Sequence, residues 1–151
     1  MAAEVKKFRE LLGDWLEKDV TALGAQVGDR IYPVWPPEVV TYPCCAFNIR
    51  TRTGNEYGIP QWSGSLEIYL FDTSEDTLDD LEDAIVDYAV QNAEDMLGKL
   101  TDAATVLTRN FIFQGAEQDP KDAFMVDDFM VIVRVLSFDF LFVKRVGAWA
   151  T

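Results

Sequence analysis

A chain of 151 residues, 49% hydrophobic and 26% charged, is sized for one globular domain whose core needs no disulfide or metal. Its 26 acidic and 13 basic residues give a formal charge of −13, so it lacks the clustered cations that tight phosphate binding needs. Histidine is absent, which excludes Ser-His-Asp and Cys-His catalysis and HExxH zinc sites.

The two cysteines, Cys44 and Cys45, are adjacent, match no zinc spacing and read as reduced thiols in a strand. Met1 to Lys7 contains no apolar h-region and no run approaches 18 apolar residues. A protein folded in a reducing cytoplasm, without membrane contact, is expected.

Val5, Phe8, Leu12 and Trp15 recur at helical spacing, with Leu11 and Leu16 widening the stripe. They predict a helix over 3–22 that fades by Gly24 and Gly28. Pro33, Pro36, Pro37 and Pro43 forbid helix or central strand over 28–43. Ile31 and Tyr32 can pair briefly at an edge, and the rest is an extended connection. A strand is predicted over 44–53, with Cys45, Phe47 and Ile49 opposite Asn48, Arg50 and Arg52. A second over 62–71 sets Leu66, Ile68 and Leu70 against Glu67, Tyr69 and Phe71. Two glycines and Pro60 between them predict a hairpin loop over 54–60, longer than a minimal turn.

Asp72 or Ser74 caps a helix whose stripe of Leu78, Leu81, Ile85 and Tyr88 continues towards Met96 and stops near Gly98. Residues 72–98 hold ten of the 26 acids and no Lys or Arg. The acidity is therefore local, and Asp76, Asp79, Asp80, Asp83 and Asp87 form its face. Asp79/Asp83 and Asp83/Asp87 are i, i+4 pairs able to hold a divalent cation weakly, but a solvated helix face is the preferred reading. No metal or other cofactor is assigned.

Leu107, Arg109, Phe111 and Phe113 then alternate with Thr108, Asn110 and Ile112, and 115–122 is a polar loop. Met125 to Val143 forms the longest strand, with Phe129, Val131, Val133 and Val135 opposite Met130, Ile132, Arg134 and Leu136. Ser137 or Asp139 marks a bulge or bend in it. Residues 144–151 form a C-terminal tail that orders at an interface.

The order α-β-β-α-β-β describes one α+β domain over 1–151. Two helices pack on one face of a mainly antiparallel four- to five-stranded sheet. The second face, with Tyr69, Phe71, Ile112, Ile132 and Leu136, is apolar enough to be an interface. No P-loop, dinucleotide fingerprint or EF-hand pattern occurs, and Asp127-Asp128 reads as loop. Nothing nominates a nucleophile and base, so an enzyme is not expected. Tyr57, Ile59, Trp62 and Trp149 are the candidate contacts to a neighbouring subunit, local packing being the alternative for Tyr57, Trp62 and Trp149.

The opening helix, then Val27-Gly28-Asp29-Arg30-Ile31-Tyr32-Pro33, then Tyr42-Pro43-Cys44-Cys45-Ala46-Phe47, resembles the tail terminator (tail completion) family of long-tailed phages. The likeness runs over residues 5–143 through the order of strand, acid-rich helix and long final strand. It implies a structural virion protein, assembled in the host cytoplasm. Such a protein forms a ring, usually a hexamer, at the head-proximal end of the tail tube, where it stops polymerisation and offers a docking surface for the neck. The implied partners are further copies of the chain, the tail tube protein, a neck or head-completion protein and, in a contractile tail, the sheath. DNA would pass through unbound, as the acidity suits. Gly28, Asp29, Arg30, Tyr32 and Pro33 match the family pattern as fold determinants, and no catalytic residue is carried over. The rival readings are a neck, head-completion or tube protein, a cytosolic acidic adaptor binding a basic partner through 72–98, and a carboxylate enzyme using a divalent metal.

Overall fold

The structure, a computed structural model, describes residues 3–37, 40–56 and 58–145. Helix α1 (Ala3–Asp14) buries Val5, Phe8 and Leu12. A wider π-helical turn over Trp15–Asp19 follows and keeps both Trp15 and Leu16 inside. After a break at Val20, α2 (Thr21–Val27) extends the helical region past the expected limit of residue 22. Gly28 ends it at φ 58°, ψ −126°, a conformation that suits glycine, and donates its N–H to the Gly24 carbonyl at 2.8 Å.

Strand β1 (Ile31–Pro33) lies parallel to β2 (Cys44–Glu56), pairing Ile31 with Cys45 and Pro33 with Phe47, as an edge role allows for a proline. β2 runs antiparallel to β3 (Ile59–Asp72) in an unbroken ladder from Cys44–Phe71 to Glu56–Ile59. The expected long loop over 54–60 is therefore mostly strand among its described residues, with Gly58 in a turn at φ 79°. Pro60 is accommodated because β3 pairs with the next strand only from Gln61 onward.

The predicted helix over 72–98 is two helices, α3 (Glu75–Gln91) and α4 (Ala93–Lys99), broken at Asn92. Ser74 caps α3, its Oγ accepting from the Thr77 N–H at 3.4 Å, while Asp72 belongs to β3. The long final strand divides into β5 (Phe124–Val126) and β6 (Phe129–Lys144), joined at Asp127-Asp128 with Asp127 at φ 53°. β6 lies between β3 and β4 (Val106–Glu117). The bulge expected at Ser137 or Asp139 is absent there. The register shifts lie between Thr108 and Asn110 and between Phe113 and Gly115, so the extra residues are on β4.

The fold is α+β. Among the described residues it has four α-helices and a mixed six-stranded sheet of order β1-β2-β3-β6-β4, with β5 beside β6, more of each element than expected. The main core lies between helices and sheet. Phe8 stacks on Phe142 with ring centres 4.3 Å apart, and Leu66, Ile68, Leu78, Leu81, Ile85 and Phe138 are fully buried around it. Leu136 is buried here and Ile132 packs here, which removes both from the second face to which the pattern assigned them. On that second face Cys44, Ala46, Phe71, Val131 and Val133 form a smaller core, covered by Tyr32, Tyr42 and Phe124. Lys144 ends β6 and the Arg145 N–H donates to the Thr105 carbonyl at 2.9 Å, so the expected tail begins later than residue 144. Its remainder, 146–151, lies outside the described residues.

Candidate functional site

The sequence-nominated contact residues do not form one patch. Tyr57 and Trp149 lie outside the described residues. Ile59 is half-buried opposite Glu56 at the hairpin end. Trp62 is only 6% exposed and stacks on Phe142 at 5.3 Å, so it is a core residue and not a partner contact. Its position opposite Thr53 on the helix-facing side of β3 explains why.

Asp76, Asp79, Asp80, Asp83 and Asp87 are all exposed along α3. Their face is held in place by one residue that sequence reasoning missed, Arg134. Its guanidinium, 12% exposed, pairs with Asp79 and with Glu82 at 3.3 Å, and donates to Gln118 Oε1 at 2.8 and 3.0 Å. Gln118 in turn donates to Glu75 at 3.0 Å. One cation thus ties the acidic helix to the sheet and to the end of β4. A polar residue amid the apolar alternation of β6 was its sequence signal.

The Gly28–Pro33 segment has a structural job. Arg30 Nε donates to the Pro43 carbonyl at 3.1 Å and Nη2 to the Gln26 carbonyl at 2.9 Å. Its own carbonyl accepts from the Cys45 N–H at 3.0 Å, so Arg30 aligns β1 along β2. Asp29 is exposed, and Tyr32 packs on the smaller core.

Beyond Pro33 the backbone is strained. Val34 adopts φ 75°, and the Trp35 N–H turns back to the Pro33 carbonyl at 3.1 Å, closing a γ-turn. A β-branched residue rarely holds positive φ. The turn lays Trp35 edge-on against Tyr69 and Phe71, with centres 5.5 and 5.0 Å apart, yet leaves it 52% exposed. Trp35 and Tyr69 wall a cleft of about 400 Å³ on the second sheet face, whose polar lining includes Glu67, Glu117 and Asp122. Tyr69 donates to Glu67, and burial, reinforced by that bond, pushes its phenol up to about 12. Beside it, Arg50, Arg52, Ser63, Ser65 and Asp139 line a second, shallower groove. Apolar exposure is concentrated elsewhere, on the β5–β6 hairpin, where Met125, Phe129 and Met130 are each more than half exposed.

Burial pushes the Cys44 thiol up to about 12 and that of Cys45 higher still, so neither is a thiolate near neutrality. Among the described residues no three Asp, Glu or Cys side chains converge to hold a metal ion, and no helix is long and apolar enough to cross a membrane.

No protein-family model matches the chain, and no curated protein matches it. Among solved structures, it is similar to a chain in the virion of a native gene transfer agent (GTA) particle. The identity is 11% and the TM-score 0.51, with 95% of each chain covered. At that identity the likeness establishes a shared fold.

Proposed function

We propose that this protein is a structural component of a phage-like virion. More specifically, it is a tail terminator that forms a ring, six-fold by the family resemblance, at the head-proximal end of the tail tube. The observation that carries the reading is the end-to-end likeness of fold, 95% of both chains, to a chain of a GTA virion. The Gly28–Pro33 segment supports the finer reading, since Arg30 uses it to set the first edge of the sheet. The surfaces support an assembly role, with a strained turn that presents Trp35 and an apolar hairpin at Met125, Phe129 and Met130. In this role the protein is not an enzyme. It contacts further copies of itself, the tube protein, the neck and, in a contractile tail, the sheath. The net charge of −13 lets DNA pass through the ring without being held.

The test is tube elongation. Purified protein added to polymerising tube protein should halt growth at amounts far below the tube subunit, and gold-labelled antibody should mark one end of the tube. Tubes that grow to the same length with and without it, or label spread along the tube, would refute the terminator role.

A further inference from the structure

The second sheet face is electrically lopsided. At its β2 side stand Arg50 and Arg52, both exposed, in a groove shared with Asp139 of β6, and neither forms an ion pair among the described residues. This is also where β2 has lost its neighbour, since β1 pairs only with Cys45 to Phe47. From Asn48 to Glu56 the outer edge of β2 has no strand beside it among the described residues. Towards the β4 side of the same face, Glu117 on β4 and Asp122 beside β5 stand exposed around the Trp35–Tyr69 cleft, whose Glu67 lies on β3, one strand from Arg50.

We propose that this face docks a second copy of the chain. Arg50 and Arg52 of one copy enter the cleft bounded by Trp35, Tyr69, Glu67, Glu117 and Asp122 of the next. Three features of the cleft suit a guanidinium. Its carboxylates supply planar, bidentate acceptors. Its aromatic walls supply ring faces for a stacked cation. Its volume of about 400 Å³ admits a long side chain with its stem. The complementarity is internal to one sequence, so a second copy is the occupant that needs no further assumption. The donating and accepting patches are distinct, so each copy offers one of each, and the same contact serves a two-fold pair or a head-to-tail repeat. It leaves the α3 acids outside the junction. The inference stands apart from the tail-end role, because it concerns only how copies meet.

Charge-reversed variants of the full chain test it by sedimentation and native mass spectrometry at low salt, with far-UV circular dichroism confirming the fold. The wild type should self-associate, at least about tenfold more weakly when NaCl is raised to roughly 0.5 M. R50E/R52E and E117K/D122K should each associate at least about tenfold more weakly than wild type on their own. Mixed in equal amounts they should recover association, because every junction in the mixed assembly again pairs a cation with an acid. A wild type that stays monomeric, variants that associate like wild type, or a mixture that fails to recover would each overturn the proposal. A tube-elongation failure with the charge-swap result intact would remove the terminator role alone.

Discussion

Gly64 is the position where the sheet tolerates least. It sits on β3 between Thr51 of β2 and Phe140 of β6. A Cβ built there would lie 1.8 Å from the Arg50 carbonyl oxygen, 2.8 Å from its carbon and 3.2 Å from Phe140 Cζ. The first atom is backbone and cannot swing aside. Restoring ordinary contact requires β2 and β3 to part locally by about 1.5 Å, enough to break hydrogen bonds whose N···O distance is about 2.9 Å. Losing two or three ladder bonds at about 1 kcal/mol each, with disturbed packing at Phe140, puts the cost of Gly64→Ala at about 3–5 kcal/mol. Gly98→Ala provides the opposite sign. Gly98 lies in α4 with nothing within 4 Å of its built Cβ, and alanine there should stabilise by up to about 1 kcal/mol. Urea unfolding followed by tryptophan fluorescence measures both. A Gly64→Ala protein within about 0.5 kcal/mol of wild type would mean that the strands do not approach as described.

Leu81 is fully buried and Asp80 exposed on the same helix, so Leu81→Ala should cost about 2–5 kcal/mol and Asp80→Asn almost nothing. Unfolding by Asp80→Asn would reverse the assigned faces of α3. Val34→Gly should stabilise by about 1 kcal/mol, because glycine relieves the φ of 75° and a side chain already 58% exposed gives up little burial. A loss of more than that in urea would show the turn to be unstrained. Burial works to raise the Asp102 carboxyl, but the Val106 and Thr105 N–H groups, donating to Oδ1 at 2.6 and 2.8 Å, outweigh it and hold the group below its usual range. Its stabilisation is therefore complete above the unfolded value of 3.8 and is lost as pH falls through the lower folded value. Asp102→Asn should flatten that part of the acid limb of stability against pH, and an unchanged slope would assign the limb to other groups.

The strand pairing and the main core were legible because their signals are periodic. Leu66, Ile68 and Leu70 alternate, and Leu78, Leu81 and Ile85 recur at helical spacing, so one buried face was written into each. What escaped was what interrupts a period. The π-helical turn at Trp15 shifts the stripe without any marker residue, which let α2 reach Val27 unseen. The register shifts around Arg109 and Gln114 change which β4 side chains face inward, and alternation cannot report an extra residue. Trp62 was misjudged because a tryptophan near a loop signal looks exposed. The loop was strand, and the register then turned the indole onto Phe142. The candidate site was only half legible. The acids of α3 stood out by count, whereas the pairing of Trp35 with Tyr69 depends on the γ-turn at Val34, where no residue type announces positive φ.

The distribution of charge also decides which surfaces can meet. The exposed face of α3 has Arg134 packed against it, and that guanidinium is already committed to Asp79, Glu82 and Gln118. Two such faces brought together would set like charges within a Debye length of about 8 Å at physiological salt, where screening removes only part of the repulsion. A protein of net charge −13 that assembles with itself must therefore turn these helices away from its neighbours and join through surfaces carrying both signs or none. The second sheet face carries both, with Arg50 and Arg52 at one side and Glu117 and Asp122 at the other, and the Met125–Phe129–Met130 hairpin is largely apolar. In a closed ring built this way the helix layer is left free to line a lumen or an outer rim. Under the proposed tail-end role, acids lining the lumen would repel the DNA that passes rather than retain it.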